Sequence, residues 1–230
     1  MVVIGVNPLF PYRIRRVRGY DALAEWQRFV YAHYARLGFL NGNASQEGRL
    51  EDQYDAHALH FSVEDAQTGE CIGSFRFVFP SDEGLPAEKI FELLHTSPEP
   101  EMFIEVTRLI GAKDPSGSAA NDIEGKWRSI LFPMICYAFA VAVHNQKKGC
   151  FAVMDPVTFM RFNRLFANTA EPVEGCEPRF YKGGWLILVR WRVDLFASRV
   201  LANDAALQQV IAAIPVEDVQ FDPGKRTTEG

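Results

Sequence analysis

Two apolar segments carry charges that a folded chain cannot leave unpaired. Ile72-Gly-Ser-Phe-Arg-Phe-Val-Phe79 contains a lone arginine, Arg76, and Phe103-Ile-Glu-Val-Thr-Arg-Leu-Ile110 contains Glu105 and Arg108. Their aromatic and β-branched content reads as strand. A charge buried in a strand is costly unless it is paired. Partners lie upstream in Glu51-Asp-Gln-Tyr-Asp55, three carboxylates in five residues, leading into a segment with His57 and His60. Two readings stay open from the residues alone: a buried ion-pair network, or the wet face of a half-exposed sheet. Alternation puts Glu105 and Thr107 on one face and Arg108 on the other. A bulge at Val106-Thr107 would bring Glu105 and Arg108 together. The same alternation groups Glu51, Asp55 and His57 and places His60 opposite.

The surrounding pattern supplies the rest of an α/β domain. Tyr20 to Leu40 reads as an amphipathic helix through Leu23, Trp26, Val30, Tyr31, Tyr34 and Leu37. His57 to Val63 and Cys71 to Phe79 read as a hairpin around Asp65–Gly69, and Met102 to Ile110 as a third strand. Asp122 to Asn145 is a long, very apolar helix that must lie against a sheet. Cys150 to Met154 reads as a strand, Asp155 as the N-cap of a helix to about Phe166, Trp185 to Val193 as the last strand, and Leu195 to Ile214 as a closing helix. Helix, three strands, long helix, strand, helix, strand implies a mixed, twisted central sheet with helices on both faces. Neither a linker nor a repeat divides the chain, so residues 1–221 read as one domain and 222–230 as a polar, disordered tail. Tyr181-Lys-Gly-Gly184 reads as a hairpin turn or a hinge.

Composition narrows the class. The 230 residues hold 24 basic and 29 acidic side chains, a net charge of −5, so no global field recruits nucleic acid. Four cysteines without a CxxC pair give neither a metal site nor a disulfide scaffold, and reduced thiols suit a cytoplasmic protein. The apolar run at the N-terminus precedes its arginines, the reverse of a secretory signal. Ile130 to Val143 includes Pro133 and is too short to span a bilayer. Against this acidic background, Arg13, Arg15, Arg16 and Arg18 form a basic cluster.

Taken together, Glu51-x-x-Tyr-Asp55, Gly73-Ser-x-Arg76 and Glu105-Val-Thr-Arg108 resemble the acyl-homoserine-lactone (autoinducer) synthases and the long-chain N-acyl amino acid synthases. Asp52-x-Tyr-Asp55-x-His57-x-x-His60 and Leu85-Pro86 resemble the second branch more closely. The likeness runs from about Tyr20 to Arg164. It implies a GNAT-like acyltransferase fold and transfer of a fatty acyl group from acyl carrier protein to the α-amine of an amino acid, with no other cofactor and no metal. The alternatives are an autoinducer synthase using S-adenosylmethionine and a non-catalytic acyl- or carrier-binding module.

The resemblance assigns Glu105, Arg108 and Arg76 to catalysis and Asp52, Asp55, His57, Arg28 and Phe39 to substrate binding. Phe103 and Phe139, with Ile135 and Val153, are candidates for the acyl tunnel. Arg13, Arg15, Arg16 and Arg18, helped by Lys147 and Lys148, are candidates for docking an acidic carrier protein. Two departures bear on the acceptor. Leu37-Gly-Phe39 has Phe where autoinducer synthases have Trp, and Arg28 matches their N-terminal arginine only with a one-residue shift. Both favour an amine other than S-adenosylmethionine. The coenzyme A pyrophosphate loop of most GNAT enzymes is missing from Gly117–Gly125, as a carrier-protein donor would predict.

Overall fold

A computed structural model describes residues 12–40, 47–91, 99–111, 123–181 and 183–222, with no side-chain description for 123–130. The strands are β1 (Tyr12–Arg16), β2 (Ala58–Asp65), β3 (Cys71–Val78), β4 (Phe103–Gly111), β5 (Gly149–Met154), β6 (Ala170–Pro172), β7 (Arg179–Tyr181) and β8 (Gly184–Arg192). They form one sheet in the order β1-β2-β3-β4-β5-β8-β6, with β7 hairpinned onto the start of β8. Among the described strands only the β4–β5 pair is parallel. The helices are α1 (Tyr20–Arg36), α2 (Ile123–His144), α3 (Pro156–Leu165), α4 (Val193–Arg199), α5 (Ala205–Ala212) and α6 (Val216–Val219). This is the mixed α/β sheet with helices that the element order predicts.

Each face buries its own apolar set. The face under α2 collects Phe61, Phe75, Phe77, Ile104 and Trp191 against Met134, Ile135, Tyr137 and Val141, with Phe162 of α3 and Phe196 of α4. This explains why α2 is apolar all round: α5 and α6 also pack on it. On the opposite face α1 contributes Trp26 and Val30 to a cluster with Val17 and Ile110. Tyr54, Leu85, Phe91, Phe103, Phe151 and Leu188 fill the remainder.

Two local expectations are revised, one strand is added and one open reading is decided. The basic N-terminal run, for which the sequence suggested no element, forms the edge strand β1, paired in register with β2 from Tyr12↔Asp65 to Arg16↔Phe61. His57 belongs to a 3-10 turn, Asp55–His57, and not to the strand, which starts at Ala58. Strand alternation therefore does not apply across Asp55, His57 and His60. The closing helix is broken at Leu201–Asn203, where Asp204 caps α5 by accepting from Leu207 N–H at 2.9 Å. Tyr181 pairs with Gly184 in the β7–β8 hairpin, so the turn and not the hinge is the reading selected there.

The bulge exists, one step further along than Val106-Thr107. Arg76 pairs with Thr107 and Ser74 with Ile110, so Phe75 alone faces Arg108 and Leu109. Arg108 takes a φ of 51°, an uncommon conformation for a residue with a side chain. Ser74 Oγ donates to the displaced Arg108 carbonyl at 3.0 Å. The extra residue turns the Arg108 side chain onto the face that carries Arg76, Glu105 and Thr107.

Candidate active site

The site is built around Arg76, 2% exposed at the centre of the sheet. Its Nη1 donates to Asp52 Oδ1 at 2.8 Å and to Asp55 Oδ1 at 2.5 Å, its Nη2 to Asp52 Oδ2 at 3.1 Å, and its Nε to Thr107 Oγ1 at 2.9 Å. A planar guanidinium can serve both carboxylates and the hydroxyl at once; an ammonium cannot. Arg108 completes the cluster, donating from Nη2 to Asp52 Oδ2 at 2.9 Å and from Nη1 to the Leu50 carbonyl at 2.6 Å. The buried ion-pair network is thus the reading the structure selects.

Neighbours finish the network from α1 and β2. Gln27 Nε2 donates to Asp55 Oδ2 at 2.9 Å. His60 Nε2 lies 3.0 Å from Asp55 Oδ1, and its buried Nδ1 has no hydrogen-bond partner among the described residues. Burial pushes the His60 imidazole below its ordinary pKa despite the carboxylate beside it. The neutral ring must then carry its hydrogen on Nε2, because Asp55 can only accept. Trp26 holds that ring edge-on at 4.7 Å between centroids, anchors its own Nε1–H on the Phe61 carbonyl, and receives the Arg108 guanidinium over its face at 5.5 Å. Burial raises the Asp55 carboxyl, but His60, Arg108 and Arg76 together outweigh it and hold it well below the carboxylate range. Asp52 is held down by the same balance of burial against Arg76 and Arg108.

Glu105 behaves differently. It is 2% exposed and joins no ion pair among the described residues. Its Oε2 accepts the Ala87 N–H at 2.8 Å. Burial pushes its carboxyl up to about 8, a shift that the Ala87 amide and the positive Arg76 only moderate.

A cleft of about 530 Å³ opens beside this cluster. Pairing between β4 and β5 runs only from Phe103↔Gly149 to Val106↔Ala152, and beyond it the strands part. The gap is walled by Val106, Thr107, Arg108 and Leu109 on one side and Ala152, Val153 and Met154 on the other. Its interior is apolar, from Leu131, Met134, Ile135 and Ala138 of α2 to Phe162 and Leu165 of α3, Cys150 and Trp191. Tyr34, Phe39, Asp155, Thr158, Arg161 and Arg164 also line it.

Of the residues expected from sequence, the structure brings Asp52, Asp55, Arg76 and Arg108 into direct contact and puts Arg108, Phe39, Ile135 and Val153 on the cleft wall. Others fall elsewhere. Glu105 is sealed behind the wall, two strand positions from Thr107. Phe103 stacks on Phe151 in the second cluster, and Phe139 on Phe196. Arg28 is exposed on the outer side of α1, beside Glu25 and Arg49, and the inward position belongs to Gln27. His57 is half-buried and outside the network.

The basic residues are largely engaged within the molecule. Arg15 pairs with Glu64, Arg16 donates to the Glu217 and Gln220 carbonyls, and Arg18 to Glu217 and Asp218. Lys148 pairs with Glu99, and Lys147 donates to the Glu101 carbonyl. Arg13 is half-buried in β1. Gly117–Gly125 lies largely outside the described residues. Gln27, Trp26 and Thr107 are site residues that the sequence reading missed. A glutamine on the apolar stripe of α1 was the available signal.

A sheet opened by two splayed parallel strands, with an apolar cleft through the gap, defines a GNAT-like acyltransferase. Residues 25–182 match the model of the FeeM N-acyl amino acid synthase family, and the chain belongs to that family. Among solved structures, FeeM from uncultured soil microbes superposes with a TM-score of 0.57 at 15% identity, over 83% of this chain and 96% of that one. The CoA-dependent acyl-homoserine lactone synthase MesI gives 0.56 at 19% identity over 81% and 91%. The acyl-homoserine lactone synthase LasI gives 0.55 at 15% over 79% and 89%. No curated protein sequence matches significantly.

Proposed function

We propose that this acyltransferase moves a fatty acyl group from an acyl carrier protein thioester to the α-amine of an amino acid. The observation that carries the reading is the apolar cleft, which runs between β4 and β5 and meets the Asp52–Arg76–Arg108 cluster at its wall. An acyl chain fits the cleft, and its thioester carbonyl then lies near the unpaired edge of β4, whose amides supply donors for a developing oxyanion. The acceptor, bound as its ammonium, first gives up one proton; the free amine attacks that carbonyl, the tetrahedral centre collapses with loss of the thiolate, and a second proton passes from the nitrogen to that thiolate.

The cluster divides the remaining work. Asp52 keeps 28% of its side chain exposed and offers the acceptor's ammonium a counter-charge. Arg108, on the cleft wall, orients the acceptor's carboxylate. Asp55, His60, Gln27 and Trp26 hold these two in place. Glu105, whose carboxyl titrates near 8, takes the first of these protons through an intervening water only in its ionised form, a minor fraction at neutral pH that grows as pH approaches 8, since its own side chain stops short of the cleft. Phe39, packed edge-on against Tyr34 at 6.0 Å, covers the cleft beside α1.

The test is mass spectrometry of lipids from cells expressing the chain, beside Glu105→Gln and Arg108→Ala variants. N-acyl amino acids that disappear in the variants support the proposal and name the acceptor. Acyl-homoserine lactones would move the assignment to an autoinducer synthase, and no product from well-folded protein would leave an acyl-binding module. Purified enzyme with acyl carrier protein and acyl-coenzyme A thioesters in parallel decides the donor; a preference for the coenzyme A thioester would refute the carrier.

A further inference from the structure

Four strongly exposed apolar side chains lie toward one end of the molecule. Phe180 and Trp185 are 65% and 59% exposed, and Met160 and Val157 62% and 50%. Phe180 and Trp185 pack on each other across the β7–β8 hairpin, ring centroids 5.7 Å apart, and so present a single rigid aromatic tip. β8 runs antiparallel to β5 with Met154 opposite Ile187, which puts this hairpin at the end where β5 passes into α3. That is also the end where the cleft opens, between Thr107–Leu109 and Met154–Thr158. By alternation Trp185 shares its face with Ile187, Val189 and Trp191, the face that α3 covers.

α3 adds a matching stripe. Val157, Met160, Arg161 and Arg164 follow at i, i+3, i+4 and i+7 and are exposed together. Both arginines line the cleft, and neither has an ion-pair partner among the described residues. Arg179 is exposed at the base of the hairpin. Acidic groups are near: Asp155 spends its carboxylate on the Val157 and Thr158 amides and the Thr158 hydroxyl, and Glu174 and Glu177 sit in the turn before β7. A chain of net charge −5 has no general attraction for an anionic surface, and here the three arginines are matched in number by Asp155, Glu174 and Glu177. What sets this end apart is that Arg161 and Arg164 line the cleft without an ion-pair partner among the described residues, on the helix that also exposes Val157 and Met160.

We propose that this end of the molecule rests on an anionic lipid surface, with Phe180 and Trp185 entering the headgroup boundary and Arg161 and Arg164 meeting lipid phosphates. Aromatic side chains with adjoining cations are what a water–lipid interface takes up. No helix among the described residues is long and apolar enough to cross a membrane, so the contact is peripheral. The contact deepens the acyl-transfer reading, on which it rests for its purpose. An N-acyl amino acid is an amphiphile, and a cleft mouth facing lipid lets it leave without crossing water.

Binding is read without turnover, by sedimentation with vesicles of phosphatidylcholine alone or mixed with phosphatidylglycerol. The intact chain is expected to sediment with the mixed vesicles and to lose binding as salt rises. Phe180→Ser with Trp185→Ser should weaken binding by about tenfold or more while the unfolding midpoint stays unchanged. Lipids brominated on their acyl chains should quench tryptophan fluorescence in the intact chain, and Trp185→Phe should remove that quenching. Equal binding by the double variant, no binding by the intact chain, or quenching that survives Trp185→Phe would overturn the proposal. So would an aromatic tip whose loss weakens only a complex with an acyl carrier protein, or only a dimer seen by size exclusion. A chain that makes no acyl amide yet binds vesicles refutes the function and keeps the surface; the converse refutes the surface alone.

Discussion

Arg76 and Glu105 face the same side of the sheet, and burial does opposite things to them. Arg76 has two carboxylates and a hydroxyl within hydrogen-bond reach, so its charge is kept. Among the described residues Glu105 has only the Ala87 amide, so its proton is kept instead. In the unfolded chain Glu105 ionises near the usual 4.3, whereas in the folded chain it holds its proton to about 8. Between those values the native state binds one more proton than the unfolded state, so stability falls as pH rises through this window. Glu105→Gln keeps the acceptor for the Ala87 amide and removes the titration. Urea unfolding should therefore show the variant gaining on the parent by several kcal/mol between about pH 5 and pH 8, the order given by a shift of this size. A difference that is flat with pH would show that Glu105 is ionised in the folded protein. Asp52 and Asp55, held below their ordinary range, contribute the opposite trend, in the acid region below about pH 4.

Elements were legible in the sequence where one physical pattern dominated. α1 ends at Arg36, within four residues of the expected Leu40, and β2, β3, β4 and β8 lie where aromatic and β-branched runs put them. β1 was not legible, because Tyr12-Arg-Ile-Arg-Arg16 is a strand only through its pairing with β2. The bulge was inferred from the need to pair charges, but its position at Arg108 has no glycine or asparagine to mark it. The surrounding hydrogen bonds impose that backbone conformation, not the residue type. The acid–arginine half of the site was readable for the same reason, and the cleft was not, since its lining comes from α2, α3, β4, β5 and β8 together. Among the described glycines Gly149 leaves the least room: an added Cβ would stand 1.9 Å from the Trp191 carbonyl oxygen. Gly149→Ala should lose about 3 kcal/mol or more in urea unfolding. Gly184→Ala, with nothing within 4 Å of its added methyl, should stay within about 1 kcal/mol. Equal losses at the two sites would disprove the close β5–β8 approach.

At the scale of the whole molecule, the segment after α5 ties elements from both ends of the chain. Val219 is fully buried, Phe221 stacks on Phe79 at 4.2 Å, and Asn145 at the end of α2 bonds both the Val219 carbonyl and the Phe221 amide. Arg16 and Arg18 reach the same segment from β1 and its exit. β1 is an edge strand with β2 on one side only, so this clasp is its second attachment. Ending the chain after Pro215 removes the acceptors of both arginines and the burial of Val219 and Phe221, each worth about 1.5–3 kcal/mol when complete. The truncated chain should melt lower and exchange the amides of Tyr12–Arg16 faster than those of β3 and β4, which the clasp meets only at Phe79, just past the end of β3. Replacing Arg16 and Arg18 by glutamate should reproduce part of that melting loss without any carrier protein present. A raised Michaelis constant for a carrier with unchanged melting would instead show these arginines free to dock a partner. Uniform exchange across β1, β3 and β4 after truncation would mean that the clasp stabilises the fold globally and does not fasten its edge.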